Sequence, residues 1–246
     1  MAYPQNPIRR FFHRFFTRTF AFIGVMVLSI YQATLKFEII GDENLLLLKA
    51  QKKNYILAVW HTFVDTAALF LHSSGYCVYT DHPRTEKYTN SWSHFSREVG
   101  IQISLGLGYK IVDASMGKQS VGIINYIKTI KNGIPALIAP DGPAGPIYKA
   151  KPGAVYMAKK ANAVVLPIGI GLSKKIIGPN WDDFAFPLPF SKVVLIYGKP
   201  IEIDKGASDE TMEEKRVHLE ETLDSLCHQA NAVIFKKNLV NLNDNN

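Results

Sequence analysis

The stretch Tyr55-Ile-Leu-Ala-Val-Trp-His61-Thr-Phe-Val-Asp65 is an apolar run that changes to polar residues at His61. A short, continuous apolar run is typical of a strand buried inside an α/β protein. His61 ends this predicted strand and opens a predicted helix, and Asp65 follows on the same helix face. Ligands of open α/β sheets bind where the strands end, so this turn is a candidate site.

Similar β-rich runs recur along the chain and alternate with helical stretches, which predicts an α/β fold with βα order throughout. The predicted strands are Phe37–Ile40, Tyr55–Trp60, Cys77–Thr80, Lys110–Asp113, Ala136–Ala139, Val164–Ile168 and Val193–Tyr197. The predicted helices lie near Phe63–His72, Ser91–Leu105, Lys118–Lys131 and Ala154–Ala161, and a last helix starts at Ser208 or Asp209.

Two further polar turns follow predicted strands, Gly108-Tyr-Lys-Ile-Val-Asp113-Ala-Ser115 and Ala139-Pro-Asp-Gly-Pro-Ala-Gly-Pro146. The glycines and prolines of the second turn specify a rigid, tightly turned backbone, whose N–H groups can hold an anion. Lys149 and Lys151 add positive charge beside it. The alternative is a purely structural turn, which Asp141 would serve.

The pair His61 and Asp65 suits acid–base chemistry. A carboxylate that accepts the proton of one imidazole nitrogen leaves the other nitrogen free as a base. The alternative is that His61 caps the helix and Asp65 is a solvated acid favoured by the helix dipole. The remaining histidines lack the spacing of metal ligands, and we expect no metal. The sequence also contains no serine elbow and no phosphate loop.

The N-terminus is basic and aromatic. Arg9, Arg10, Arg14 and Arg18 precede the first acidic residue and alternate with phenylalanines, and no charged residue lies between Thr19 and Leu35. This pattern favours a lipid membrane over nucleic acid as partner. A cleaved signal peptide, a spanning anchor and an interfacial helix remain open, because the apolar core is short for a span.

The length of 246 residues, with 47% hydrophobic and 20% charged residues, predicts one folded domain with a short appendage. We therefore predict a membrane helix in residues 1–35, a catalytic domain in residues 36–235 and a frayed tail in residues 236–246.

Five blocks in order, WHTFVD at 60–65, GYKIVDAS at 108–115, APDGPAGP at 139–146, KPGAVYMAKKANAVVLPIGI at 151–170 and WDDFAFPLPF at 181–190, resemble the lysophospholipid acyltransferase superfamily. Within it, the chain is most similar to an uncharacterised bacterial branch. The resemblance extends over Tyr55–Ile203, most of the chain.

The resemblance implies a mixed-sheet αβα sandwich of the glycerolipid acyltransferase type, membrane-associated, with its active site on the cytoplasmic side. It implies transfer of an acyl group from a thioester of coenzyme A or acyl carrier protein, the co-substrate, to a lipid hydroxyl, without a bound cofactor. Its partners would be the bilayer, the acyl donor and the lipid acceptor. His61 would be the base, with Asp65 as its acid, and Gly142 and Gly145 would lie near the oxyanion. The implied substrate-binding residues are Asp113, Asp141, Gly142, Pro143, Gly145, Lys149, Lys151 and Trp181.

The chain departs from the family pattern at three points. The family spaces its histidine and aspartate one residue further apart, where this chain has Thr66, so Glu98 or Asp113 are alternative acids. Ala114 and Ala144 stand where the family has arginines. These departures keep open a lipid-binding pseudoenzyme and a thioesterase-like hydrolase. The segment 181–190 would wall an acyl tunnel, lie against lipid or form a packed loop. Acceptor, chain length and oligomeric state are open.

Overall fold

The computed structural model describes residues 7–80, 91–113 and 119–243. Its helices are α1 (Pro7–Ala33), α2 (Glu43–Ala50), α3 (Val64–Phe70), α4 (Ser91–Gly106), α5 (Gln119–Lys131), α6 (Gly153–Ala161) and α7 (Asp209–Asn243). Its strands are β1 (Lys36–Ile40), β2 (Asn54–Ala58), β3 (Cys77–Thr80), β4 (Lys110–Asp113), β5 (Ala136–Ile138), β6 (Ala163–Leu172), β7 (Lys175–Ile177), β8 (Ala185–Pro187) and β9 (Lys192–Tyr197). A 3₁₀ turn, His61–Phe63, joins β2 to α3.

Seven of the strands in the described residues form one mixed sheet in the order β1-β9-β6-β2-β5-β3-β4. Neighbours pair in parallel except β6 and β9, so β9 and β1 run opposite to the other five. Right-handed crossovers place α3 and α4 on one face and α5 and α6 on the other. Helix α7 packs on β6, β9 and α6 and completes the second layer. The predicted α/β sandwich is confirmed.

The core is formed by the central strands, which are apolar along their whole length. All ten residues of β6 are buried, and so are the last four residues of β2. Two glycines of β6 let α7 lie close to the sheet: a Cβ on Gly169 would come within 2.6 Å of the Leu226 carbonyl oxygen, and one on Gly171 within 2.7 Å of the Ala230 carbonyl carbon. Leu219, Leu223 and Leu226 of α7 are buried, so these leucines serve packing, as their helical spacing predicts.

The structure differs from the predicted alternation in two places. Four consecutive leucines in α2 hide its helical period, so this helix is not predicted by pattern. After β6 the chain continues through an antiparallel hairpin, β7–β8, and then β9, without an intervening helix. These hairpin strands have three residues each, too few for a pattern to emerge.

Helix α7 is the last element of the described chain. It begins at Asp209, where the sequence predicts it, and its backbone is helical to Asn243, which includes most of the segment predicted as a frayed tail.

Helix α1 packs along α4 through small residues. Gly24 lies against Ile103, and Gly106 lies against Val25, so the two helices approach closely. Its other side exposes phenylalanine and aliphatic side chains. Among the described residues, Phe11–Ala33 is the one helical stretch long and apolar enough to cross a membrane.

Candidate active site

The His61 turn and the 140–146 loop follow two neighbouring parallel strands, β2 and β5. Asp141 connects them: its carboxylate accepts the backbone N–H of His61 at 3.1 Å. The Asp141 side chain is fully buried. Burial raises the pKa of this carboxyl group, and the N–H of His61 opposes the rise. Asp141 therefore positions the turn that carries His61, and its side chain has no exposed surface.

His61 pairs with Asp182. The imidazole Nδ1 lies 2.8 Å from Asp182 Oδ2, and the His61 side chain is 31% exposed while that of Asp182 is 7% exposed. A buried carboxylate on Nδ1 favours the tautomer with the proton on that nitrogen, which leaves Nε2 as the basic atom. The other carboxylate oxygen, Oδ1, is buried with no hydrogen-bond partner in the described part of the chain.

The loop between β7 and β8 supplies Asp182, and two threonines fasten it beside His61. The hydroxyl of Thr62 donates to the backbone carbonyl of Asp182 at 2.6 Å. The hydroxyl of Thr66 donates to the carbonyl of Ala185 at 3.3 Å, and both threonines are buried. Thr66 therefore binds the segment that carries Asp182.

Asp65 does not form the predicted hydrogen bond with His61, since Asp182 occupies Nδ1. Asp65 reaches solvent but is surrounded by protein on its other sides. Desolvation raises the pKa of its carboxyl group, His61 lowers it and Asp182 raises it, so the three groups are neighbours. Of the alternative acids, Glu98 lies at the contact between α1 and α4, where its Oε2 is 3.8 Å from Nδ1 of His13. The side chain of Asp113 lies outside the described residues, although its backbone ends β4.

Trp181 lies beside His61, and the surface around these two side chains is the crevice of the candidate site. The ring centroid of Trp181 lies 5.1 Å from that of His61, and 40% of the residue is exposed. Trp181 also contacts Gly145: a Cβ added to this glycine would come within 2.6 Å of the indole. Gly145 also has a positive φ of 60°. Both the backbone conformation and the neighbouring indole therefore require glycine at position 145. Pro143, in the same loop, is exposed.

The two lysines that follow this loop have different partners. Lys149 Nζ lies 2.8 Å from Glu220 Oε1 on α7, and this pairing raises the pKa of Lys149. Lys149 is therefore paired with an acid on the surface, and its contact with substrate stays a prediction. Lys151 instead lies over Gly142, its Nζ 3.5 Å from where a Cβ would stand, and has no acidic partner in the described structure. The N–H of Gly142 donates to the Ala139 carbonyl and so closes the turn.

The structure thus brings together a histidine with a free Nε2, its buried carboxylate, an aromatic wall and a lysine ammonium group. His61, Trp181, Gly145, Gly142 and Lys151 are predicted residues that meet here. Asp182 is the functional residue that the sequence analysis missed. Its signal was present, since two adjacent aspartates in an apolar, proline-rich segment are costly unless one has a specific partner.

Comparisons with known proteins agree with this fold. No protein-family model matches the chain. An uncharacterized protein of Rickettsia prowazekii (strain Madrid E) is 25% identical over 175 residues, which cover 70% of this chain and 76% of that protein. The crystal structure of the 1-acyl-sn-glycerophosphate (LPA) acyltransferase PlsC from Thermotoga maritima superposes with a TM-score of 0.51 at 18% identity, over 83% of this chain and 79% of that one. The chain therefore has the fold of this acyltransferase.

Proposed function

We propose that the protein is a membrane-associated O-acyltransferase that moves a fatty acyl group from a thioester to the hydroxyl of a lipid, with His61 as general base. The observation that carries the proposal is the 2.8 Å contact between His61 Nδ1 and Asp182. It leaves Nε2 as the basic atom of a partly exposed imidazole. The fold shared with a lipid acyltransferase and the apolar helix α1 support the same class of reaction.

In this mechanism, Nε2 takes the proton of the acceptor hydroxyl as the oxygen attacks the thioester carbonyl carbon. The imidazolium that forms is stabilised by Asp182 through Nδ1–H. The tetrahedral intermediate then collapses, the carbon–sulfur bond breaks and the sulfur leaves with the proton held by Nε2. An ester and a free thiol result, and no acyl-enzyme is needed. Either acyl-coenzyme A or acyl carrier protein would supply the thioester, on the cytoplasmic side.

The acceptor in this proposal is a lipid with an apolar portion, such as a lysophospholipid or a glycolipid, rather than glycerol 3-phosphate. Ala144 offers no guanidinium for a bidentate grip on phosphate. Lys149 is held by Glu220, which leaves Lys151 as the nearest cation at the 140–146 loop. A single ammonium group is a weak basis for selecting a small dianion. An apolar acceptor would instead gain binding energy on the Trp181 wall.

The test is an acyl-transfer assay with the full chain in lipid vesicles. One labelled long-chain acyl thioester is offered, on coenzyme A or on acyl carrier protein, with glycerol 3-phosphate, lysophospholipids and glycolipids together, and the products are identified by mass. We expect ester formation on a lipid acceptor. His61→Ala should lower turnover by about 10²- to 10⁴-fold, the usual effect of losing a general base. The matched control is His228→Ala, which removes an exposed histidine of α7.

Three outcomes would contradict the proposal in different ways. Thiol release without ester formation would identify a hydrolase. No reaction with any acceptor, from a folded chain that binds the lipids, would identify a binding protein. Dominant formation of lysophosphatidic acid from glycerol 3-phosphate would keep the reaction but overturn the proposed acceptor, and would indicate that Lys151 replaces the missing arginines.

A further inference from the structure

The topology brings the hairpin β7–β8, the end of α1 and His61 to one edge of the sheet. β2 and β6 are parallel, so the end of β6 lies at the same edge as the His61 turn and leads directly into the hairpin. β9 and β1 run in the opposite direction, so the start of β1 lies at this edge too. Helix α1 enters β1 there.

The two strands of the hairpin have different environments. In β8, Ala185 and Pro187 are buried, and the loop before it delivers Trp181 and Asp182 to the crevice. In β7, by contrast, every residue is exposed, with Ile176 at 59% and Ile177 at 56%. This strand pairs on one side with β8, and its apolar side chains have no protein cover within the described residues.

The hairpin contacts the apolar helix α1 through its buried strand, β8. Tyr31, near the end of α1, stacks on Phe186 of β8 with ring centroids 5.1 Å apart, and its hydroxyl donates to the carbonyl of Pro187. Phe190, which follows β8, is 76% exposed, among the most exposed large apolar residues described. The hairpin thereby continues the apolar surface of α1 at the edge where the crevice opens.

Charge at the hairpin complements an anionic surface. Lys174 and Lys175 are exposed beside Ile176 and form no ion pair in the described structure. An anionic membrane surface attracts lysines that lie close to it. Neighbouring basic and exposed aliphatic residues match the boundary between headgroups and acyl chains. A soluble partner would not explain why this surface continues a helix apolar enough to cross a membrane.

We propose that β7 and Phe190 form a second lipid contact, which inserts into the anionic leaflet beside α1 and holds the crevice against the bilayer. The occupant of this surface is phospholipid. The inference deepens the proposed function, since it places the site at the source of a lipid acceptor. Lipid contact is nevertheless measurable without turnover, so the two proposals fail separately.

The experiment adds one cysteine at a time to the full chain, which keeps its two native cysteines, and labels it with the environment-sensitive dye NBD. The sites are Ile177→Cys and Phe190→Cys in the hairpin, Phe22→Cys on the exposed face of α1 as the lipid reference, and Val217→Cys on α7 as the matched control. Val217 is a partly exposed apolar residue among Glu213, Glu214 and Glu221, which an anionic membrane repels. The unsubstituted chain, with Cys77 buried and Cys227 partly buried, gives the background.

The labelled chains are placed in phosphatidylcholine vesicles with and without phosphatidylglycerol, and brominated acyl chains serve as quenchers. We expect NBD at 177 and 190 to shift to the blue, gain fluorescence severalfold and be quenched, more strongly when phosphatidylglycerol is present. NBD at 217 should keep its spectrum in water. Water-like, unquenched NBD at 177 and 190, while the label at 22 is quenched, would overturn the proposal. A blue shift that depends on protein concentration and resists the quencher would also overturn it, because a second protein molecule would then be the occupant.

Discussion

His61 is held at three points, each by a different kind of contact. Asp141 accepts its backbone N–H, Asp182 binds its Nδ1, and the indole of Trp181 lies against its ring. Together these contacts fix the direction in which Nε2 points. Asp65 is close enough for His61 to lower its pKa and for Asp182 to raise it, but Asp65 binds neither imidazole nitrogen. The roles of the two acids can therefore be separated by substitution.

We predict that Asp182→Asn impairs acyl transfer far more than Asp65→Asn. An asparagine amide at 182 can donate to Nδ1 and so select the wrong tautomer, an effect worth about 10²- to 10⁴-fold in kcat in comparable sites. Asp65→Asn removes only a nearby charge and should cost less than about tenfold. Steady-state kinetics with a saturating lipid acceptor measure both, and kcat rather than KM should carry the loss at 182.

The opposite order of effects would restore the pairing suggested by the sequence. Far-ultraviolet circular dichroism and thermal unfolding of both variants serve as the control, since Asp182 is buried. If Asp182→Asn lost activity only by unfolding, its remaining folded fraction would retain normal kcat.

The residue types at the site could be predicted, whereas one contact could not. A histidine after a buried strand and a loop of glycines and prolines have local signatures. The contact between His61 and Asp182 joins residues 121 positions apart and depends on where the hairpin folds back. The sequence favours Asp65 as the acid on the imidazole because it is only four residues from His61, whereas the fold brings a distant acid, Asp182, to Nδ1.

Two glycines of the 140–146 loop have the same backbone conformation but different neighbours. Gly145 and Gly142 share a left-handed backbone, with φ of 60° and 68°. They differ in what surrounds them: the indole of Trp181 lies against Gly145, whereas the flexible chain of Lys151 lies over Gly142. Substituting each glycine in turn therefore distinguishes the cost of the left-handed backbone from the cost of crowding against Trp181.

We predict that Gly145→Ala destabilises the protein more than Gly142→Ala. Both changes place a Cβ in the left-handed region, at a cost of about 1–2 kcal/mol. Only the methyl group at 145 meets a ring, which adds roughly 1–3 kcal/mol and displaces Trp181. Urea unfolding gives the free energies, and the acyl-transfer assay should show a further loss for Gly145→Ala alone. Equal effects on stability and activity would show that the indole does not depend on this glycine.

Elements were predictable where periodicity was strong. The strands of the main sheet and the helices α3 to α6 agree with their predicted positions within a few residues, because apolar runs and turn residues mark their ends. The antiparallel pairing of β6 with β9 and the three-residue strands of the hairpin have no such local mark. They depend on contacts that form only in the folded sheet.

At the scale of the whole molecule, α1 has one face on α4 and one face that no described residue covers. Thr17 and Ala21 are buried on the packed side, whereas Phe22 is 72% and Met26 is 47% exposed. Deleting α1 would therefore uncover α4 as well as remove the proposed membrane contact. Substitutions on the exposed face alone test membrane binding without that complication.

We predict that the double variant Phe22→Asp, Met26→Asp no longer sediments with anionic vesicles. An aspartate at the centre of a membrane helix costs roughly 3 kcal/mol, so the two changes should weaken binding at least tenfold. The matched control is Val121→Asp, Phe235→Asp, which places the same charges on exposed apolar positions of α5 and α7. Undiminished sedimentation of the first variant, with normal thermal unfolding of both, would place membrane attachment away from this face of α1.

The late position of the hairpin in the chain also has a consequence for synthesis. A ribosome completes α1 and the His61 turn well before the loop that carries Asp182, because 121 residues separate the two side chains. During that interval the nascent chain presents an imidazole without its carboxylate. The pair can form only after β6 has been made and the hairpin has closed over Thr62 and Thr66. Under the proposed function, the order of translation therefore keeps the unfinished polypeptide inactive until the pair has formed.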